Sequence, residues 1–322
     1  MRAIQVTTPG GPEVLTLAEL PVPEPKAGEA LVEIKASGVN FIDVYYREGR
    51  YKAPLPFVDG QEGAGIVAAL GAGVEGLRPG DRVAYSGVLG SYAEFAAVPA
   101  EKLVKIPMAL TFEQAAAAML QGLTARYLSH ETFPIAAGQT VLIHAAAGGV
   151  GNLLVQMAKH RGAQVIATAG TEAKAELARE AGADRAIVYT KDDFTEATKE
   201  FTAGKGVDVV YDGVGRETFE KGLRLLKPRG MMVLFGASSG AVPPLDPLTL
   251  MTGGSLFLTR PTLGHYIATR AELEKASSEL FSYLAKGWLK LRIGATYPLA
   301  KAELAHRDLE ARRSAGKLLL RP

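Results

Sequence analysis

The stretch "VLIHAAAGGVGNLLVQMAKHRG", residues 141–162, runs from strand-forming apolar residues through a glycine-rich bend into an amphipathic helix. Gly148 and Gly151 stand at the second and third glycine places of a GxGxxG pattern, and Ala146 takes the first. Alone that match is weak, but its setting between an apolar strand and a helix start is the setting in which the pattern binds a dinucleotide. A bare Gly148 lets a pyrophosphate approach the backbone, and Gly151 lets helix and strand pack closely. The unpaired N–H groups of the helix start then face the anion.

Outward from this loop, apolar strands and helices alternate. Strands are predicted at 141–145, 164–168, 186–189, 207–211 and 230–235, with helices at 150–161, 172–181, 193–202 and 216–226. This rhythm predicts an α/β fold with a doubly wound parallel Rossmann sheet. "GSLFLTR" at 254–260 reads as its edge strand. Upstream, "RAIQVTT", "EALVEIKASG", "GAGIVAALG", "DRVAYSG" and "SYAEFAAVP" read as short strands of a separate β domain, with one helical insertion at "NFIDVYYREG". The Ala-rich run from Thr111 predicts two helices meeting at Gly122. The expected divisions are 1–121, 122–264 and 265–322. The last carries two helices and a short strand, too little for a core of its own, and is expected to return to the first.

The second strand of the alternating half selects among nicotinamide cofactors. An NAD site places a carboxylate about 20 residues beyond the loop to hold the adenosine ribose. Here Thr168, Ala169, Gly170 and Thr171 occupy those places, with no carboxylate among them. Glu172 follows as the first helical residue, where an acid simply suits the positive helix end. Lys174, a cation in the same turn, opposes the macrodipole unless it meets an anion such as a ribose 2′-phosphate. As a solvated surface lysine it would mean nothing; together with the missing acid it favours NADPH over NADH.

Composition narrows the chemistry. The 322 residues include no cysteine, which excludes disulfides, thiolate zinc sites and cysteine nucleophiles. A net charge of +2 and the lack of a basic block with interleaved aromatics give no support for a nucleic-acid partner. No apolar run approaches a membrane span, and residues 1–8 read as a strand rather than a targeting peptide, so a cytoplasmic location is expected. The five histidines, at 130, 144, 160, 265 and 306, lack metal-ligand spacing. His144 is expected to be a hydrogen-bonded packing residue.

"HAAAGGVG", "GADRAIVY", "DVVYDGVG" and "LKPRGMMVLFG", with "GVNFIDVYYREGRY" and "DGQEGAGIV" upstream, resemble the zeta-crystallin-like NADPH:quinone oxidoreductases, the zinc-free branch of the medium-chain dehydrogenase/reductase superfamily. The resemblance covers essentially the whole chain. It implies a GroES-like, partly open β-barrel domain formed by both chain ends around the Rossmann domain. The zinc dehydrogenases of the superfamily carry a cysteine in the loop read here as Gly38-Val39-Asn40 and a histidine in the motif read as Gly60-Gln61-Glu62-Gly63, so both ligands are missing and no metal is expected.

By the same resemblance, Asn40, Phe41, Ile42, Asp43 and Tyr45 line the nicotinamide end of a cleft, and Thr124 with Ala147, Gly148, Gly149, Val150 and Gly151 holds ribose and pyrophosphate. Gly170, Thr171, Lys174 and Tyr189 form the pocket for the phosphorylated adenosine. Val214, the turn Gly236-Ala237-Ser238-Ser239, and Pro261, Thr262 and Leu263 fall at strand ends along the crevice. Arg312 adds a cofactor contact, with Arg313 as the competing choice.

A quinone is electrophilic enough to accept hydride without a metal, and its hydroquinone anion needs only hydrogen-bond donors and a proton. Asn40, Tyr45 and Tyr51 are the expected donors, with Arg47 and Arg50 as weaker ones unless they form a solvated rim. At least one of Tyr45 and Tyr46 is expected to be core, and Asp43 to order the site rather than act as a base. Two rival functions stay open: reduction of α,β-unsaturated carbonyls by the same hydride donor, and NADPH binding without catalysis. The apolar edge strand at 254–260 predicts a homodimer.

Overall fold

The computed structural model describes residues 1–322. The chain opens with β1 (Arg2–Val6), β2 (Thr16–Glu19) and β3 (Glu29–Val39), then helix α1 (Phe41–Arg47). β4 (Phe57–Val58), β5 (Glu62–Leu70), β6 (Arg82–Ser86), β7 (Phe95–Pro99) and β8 (Val104–Lys105) follow, then α2 (Phe112–Tyr127). The alternating stretch is β9 (Thr140–Ile143), α3 (Gly149–His160), β10 (Gln164–Ala169), α4 (Glu172–Glu180), β11 (Arg185–Val188), α5 (Phe194–Phe201), β12 (Val207–Asp212), α6 (Phe219–Leu223) and β13 (Leu226–Leu234). α7 (Leu248–Thr252), β14 (Phe257–Thr259), α8 (Leu263–Tyr266), α9 (Arg270–Ala285), β15 (Ile293–Pro298), α10 (Ala302–Glu310) and β16 (Lys317–Arg321) complete it.

Two compact units result: residues 1–123 with 267–322, and residues 124–266. In the first, β15-β16-β3-β5-β6-β8 form one sheet, with β7 also on β3, and β2-β1-β4 form another. The return of the tail is a strand pairing, Leu319 opposite Gly38 and Leu320 opposite Ser37. Ile4, Val6, Val39, Tyr92, Leu299, Ala302, Leu318 and Leu320 bury a common core, so the last strand belongs to the interior of this unit.

In the second unit six parallel strands run in the order β11-β10-β9-β12-β13-β14. The order reverses beside β9, whose neighbours are β10 and β12, so the glycine loop after β9 opens at the switch point where such sheets bind ligands. β9 is fully buried, as expected of a strand covered on both faces. No helix is long and apolar enough to cross a membrane.

Two predicted elements differ. α2 is one helix that runs through Gly122, not two meeting there. A Cβ at Gly122 would stand 2.7 Å from Leu280 Cδ1, so this glycine admits α9 rather than breaking α2. The helix expected over 216–226 is only Phe219–Leu223, because the turn before it is held by Asp212 and β13 already begins at Leu226.

Candidate active site

In the second unit the loop after β9 is built around a left-handed Ala145, with φ 52°. Ala146, at the first-glycine place, is fully buried and donates its N–H to Thr168 O at 3.0 Å. Gly148 is the N-cap of α3 in extended backbone, with no side-chain cap on the helix start. The first-turn amides of Gly149, Val150 and Gly151 are therefore available to an anion, on the positive end of a twelve-residue helix. The two glycines differ in what constrains them. A Cβ at Gly151 would meet Ala145 O at 2.5 Å and Ala146 Cα at 2.8 Å, whereas one at Gly148 would meet only Ala145 O at 3.1 Å. Gly151 serves the packing of the chain on itself, and Gly148 leaves space beside the helix start.

At the end of β10, Thr171 caps α4 by accepting a hydrogen bond from Lys174 N at 3.3 Å. A Cβ on Gly170 would lie 2.8 Å from Tyr189 Oη, and Tyr189 itself donates its N–H to Ala169 O at 3.1 Å. Gly170, Thr171, half-buried Lys174 and the 37% exposed Tyr189 thus converge around one helix start. Glu172 is engaged elsewhere: Arg179 lies 2.9 Å away and holds its carboxyl below the usual range.

The turns after β12 and β13 are laced together. Ser239 donates both N–H and Oγ–H to Val214 O at 2.8 Å, and Ser238 N–H reaches Gly213 O at 3.2 Å. A Cβ at Gly236 would stand 2.5 Å from Gly213 O. Buried Asp212, which the sequence reading overlooked, organises the first turn by accepting Val214 N, Gly215 N and Thr218 Oγ1. Pro261, Thr262 and Leu263 follow β14 at its C-terminal end, and Thr124 is a buried residue of α2. His144 is buried, with Nδ1 2.9 Å from Thr168 Oγ1 and its ring edge-on to Phe194; burial pushes its pKa down. That is the packing role expected of it.

In the first unit, α1 starts from a capping box: Asn40 N–H donates to Asp43 Oδ2 at 2.8 Å, while the Asn40 side chain accepts from the Asp43 backbone. Asp43 Oδ2 also accepts from Tyr92 Oη at 2.9 Å, and its burial raises it to about 7. Both amide protons of Asn40 are committed, to Gly38 O at 3.2 Å and Glu62 Oε2 at 3.0 Å, and the residue is 3% exposed. It stands behind the surface expected of a substrate donor. Tyr45 and Tyr51 do meet, edge to face at 5.6 Å, and Tyr46 packs on Tyr51 in the same way. Tyr45 and Tyr46 are both half-buried, so neither is the core residue expected. Phe41 and Ile42 are half-buried in the first turn, and Tyr51 is 43% exposed.

Arg47 is neither rim nor donor. It is 1% exposed, donates to Gly10 O at 3.1 Å and to His306 Nδ1 at 3.0 Å, and pairs with Glu310. Arg50 remains outside, paired with Glu48 at 2.6 Å. Because a guanidinium can only donate, His306 accepts at Nδ1 and gives its Nε2–H to Tyr92, 3.1 Å away. Burial, with the Arg47 charge beside it, pushes His306 down to about 3. After α10, Arg312 is an exposed left-handed residue, and Arg313 turns to Asp308 at 3.5 Å.

The loop and motif where the superfamily's zinc ligands fall do not fit a metal. Asn40 and Gln61 offer neutral amides, no cluster of His, Cys, Asp or Glu could hold an ion, and the one carboxylate between them, Glu62, is paired with Lys317 at 2.5 Å. No catalytic step through zinc follows from these residues.

The alcohol dehydrogenase GroES-like domain family matches residues 26–108, and the zinc-binding dehydrogenase family matches residues 149–282. Quinone oxidoreductase 1 of Escherichia coli (strain K12) is 48% identical over 317 residues, 97% of each chain. A 2-haloacrylate reductase of a Burkholderia species is 42% identical, covering 97% of this chain and 96% of its own. A crystal structure of the Escherichia coli quinone oxidoreductase complexed with NADPH superposes with a TM-score of 0.98 at 47% identity, over all of both chains. With this likeness running the full length of both folds, the chain belongs to the quinone oxidoreductase family of the medium-chain dehydrogenase/reductase superfamily.

Proposed function

We propose that this protein is a zinc-independent oxidoreductase that reduces quinones with NADPH. The observation that carries the reading is the end of β10: a capped helix start bearing Lys174, Gly170 opened against Tyr189, and Glu172 drawn to Arg179 instead of a ribose. The full-length similarity to a quinone oxidoreductase solved with NADPH supports it. NADPH, when bound, supplies the hydride; this chain supplies placement and charge.

In this reading Ala147, Gly148, Gly149, Val150 and Gly151 present backbone N–H groups to the pyrophosphate, with Thr124 at the ribose. Gly170, Thr171, Lys174 and Tyr189 hold the phosphorylated adenosine. The Val214, Gly236, Ser238 and Ser239 turns, Pro261, Thr262 and Leu263, and Arg312 complete the cofactor contacts, with Phe41, Ile42 and Asp43 shaping the nicotinamide end. Tyr45 and Tyr51 donate to the oxygen that gains charge, and Asn40 acts behind them. Catalysis rests on proximity and on these donors, with no indispensable acid or base.

Steady-state kcat/KM for a benzoquinone, a naphthoquinone and a 2-alkenal, each with NADPH and NADH, tests the assignment. Preference for the quinones with NADPH is expected. Preference for the alkenal would favour the second reading, an enone reductase, which the similarity to a 2-haloacrylate reductase supports. Tight NADPH binding without turnover of any acceptor would make the protein a dinucleotide binder.

The unpaired edge of β14, with Phe257 55% and Leu258 37% exposed, favours a homodimer joined along 254–260. Light scattering of the parent and of Phe257→Asp tests it: a dimer that dissociates in the variant is expected, and a monomeric parent refutes it. A cytoplasmic location completes the reading, checked by cell fractionation.

A further inference from the structure

Lys317 is an unusual residue for the first position of β16. Three leucines follow it, its side chain is 2% exposed, and β16 lies antiparallel against β3 in the interior of its unit. Its Nζ donates to Asn40 Oδ1 at 2.6 Å and to Glu62 Oε2 at 2.5 Å. Glu62, fully buried, accepts Asn40 Nδ2 on the same oxygen and Leu120 N at 2.6 Å on the other. One ammonium therefore ties the end of β3, the start of β5 and the last strand together, and Glu62 adds α2.

Room for it is made at Gly38, where a Cβ would stand 2.7 Å from Lys317 Cε and closer still to Glu62 Oε2. Asn40 and Glu62 belong to the two segments that carry the metal ligands in the zinc dehydrogenases. A buried ion pair is an expensive way to stabilise a core, since two apolar side chains of like volume often do as well. What it can supply, and they cannot, is a fixed orientation for a polar neighbour.

We propose that Lys317 is a positioning residue for the reductase reaction: its ammonium stands in for the metal, fixing the amide of Asn40 and through it the first turn of α1, which carries Phe41, Ile42 and Tyr45. The inference rests on the quinone reductase reading above. The orientation is forced by chemistry, because an ammonium only donates and must face Oδ1, which turns Nδ2 toward Gly38 O and Glu62. Asn40 then holds α1 at its N-cap, and the Lys317 charge also acts on Asp43, opposing the upward push of burial there.

Removal of Lys317 alone would strand the Glu62 charge in the core, so the test uses Lys317→Met with Glu62→Gln, and separately Lys317→Leu with Glu62→Gln. Each is compared with the parent for melting temperature, NADPH dissociation constant, quinone turnover, and hydrogen exchange of residues 38–47 by mass spectrometry. The expected result is a folded protein with unchanged NADPH affinity, kcat lower by about tenfold or more, and faster exchange in 38–47. Parental kcat and parental exchange in either folded variant overturn the proposal. Exchange reads the clamp without any acceptor. If the parent reduces no quinone, the functional reading fails while the orientation of α1 is still decided by exchange: acceleration in 38–47 upholds the clamp, and none removes it.

Discussion

The hydroxyl of Tyr92 donates to Asp43 Oδ2 at 2.9 Å, joining a residue of the β6–β7 connection to the helix that carries Tyr45. Around this bond lie groups that titrate in opposite senses. Burial raises Asp43 from 3.8 to about 7 and pushes Asp59 up as well, with the Asp43 charge adding to the latter. The stability these acids contribute is complete below their unfolded values and is lost as pH rises through the folded ones. His306, pushed down from 6.5 to about 3, costs stability as pH falls from 6.5 toward 3.

Between pH 4 and 6.5 the two slopes therefore oppose each other. Relative to the parent, Asp43→Asn is expected to become more stable as pH rises across that window, and His306→Gln less so. Urea midpoints at half-unit intervals measure both. An Asp43→Asn profile parallel to the parent would show that Asp43 is ionised throughout.

The glycines of the loop predict a separation of roles. Gly151→Ala places a methyl 2.5 Å from Ala145 O, which cannot move without shifting the turn, and should lower stability by about 1–3 kcal/mol along with NADPH affinity. Gly148→Ala meets only one atom at 3.1 Å and should keep its stability while weakening NADPH binding. Calorimetric melting and dinucleotide titration distinguish them; equal melting losses would show that the loop packs differently.

Lys174→Gln is expected to raise the NADPH dissociation constant by about 10–100-fold, or roughly 1.4–2.8 kcal/mol, while leaving NADH nearly unchanged. Isothermal titration with both dinucleotides reads this directly. An equal effect on the two would assign Lys174 a structural role.

Gly122→Ala should destabilise by about 1–3 kcal/mol, since Leu280 is fully buried and has nowhere to retreat. The loss should be smaller when Leu280→Ala is already present. Additive losses in a double-mutant cycle would mean that the two residues do not touch.

Much of the architecture was legible because it is written in local periodicity. The buried strands from β9 to β13 and the helices α3, α4 and α5 begin and end within a few residues of the expected places, since each is set by apolar spacing, a capping residue such as Thr171, and a following turn. Gly122 misled for a related reason: glycine reads as a helix breaker by propensity, yet against Leu280 it is a point of close approach.

The elements of the candidate site were legible on the proposed cofactor side and only partly on the proposed acceptor side. Loop, cap and cation lie within about thirty residues of one another, so their placement on one strand-helix rhythm follows from sequence alone. Arg47, Tyr92, His306 and Lys317 meet partners up to 277 residues away along the chain, and in sequence each is an ordinary polar residue.

The sequence by itself determined the parallel sheet, its glycine-rich loop and the lack of any thiolate ligand, because these depend on residue type and short spacing. Only the tertiary structure decided that Asn40 is clamped rather than presented, that Arg47 is interior, and that the last strand delivers a cation to Glu62. Burial and partner choice are properties of surfaces brought together over long chain distances, and no local pattern encodes which polar group will meet which.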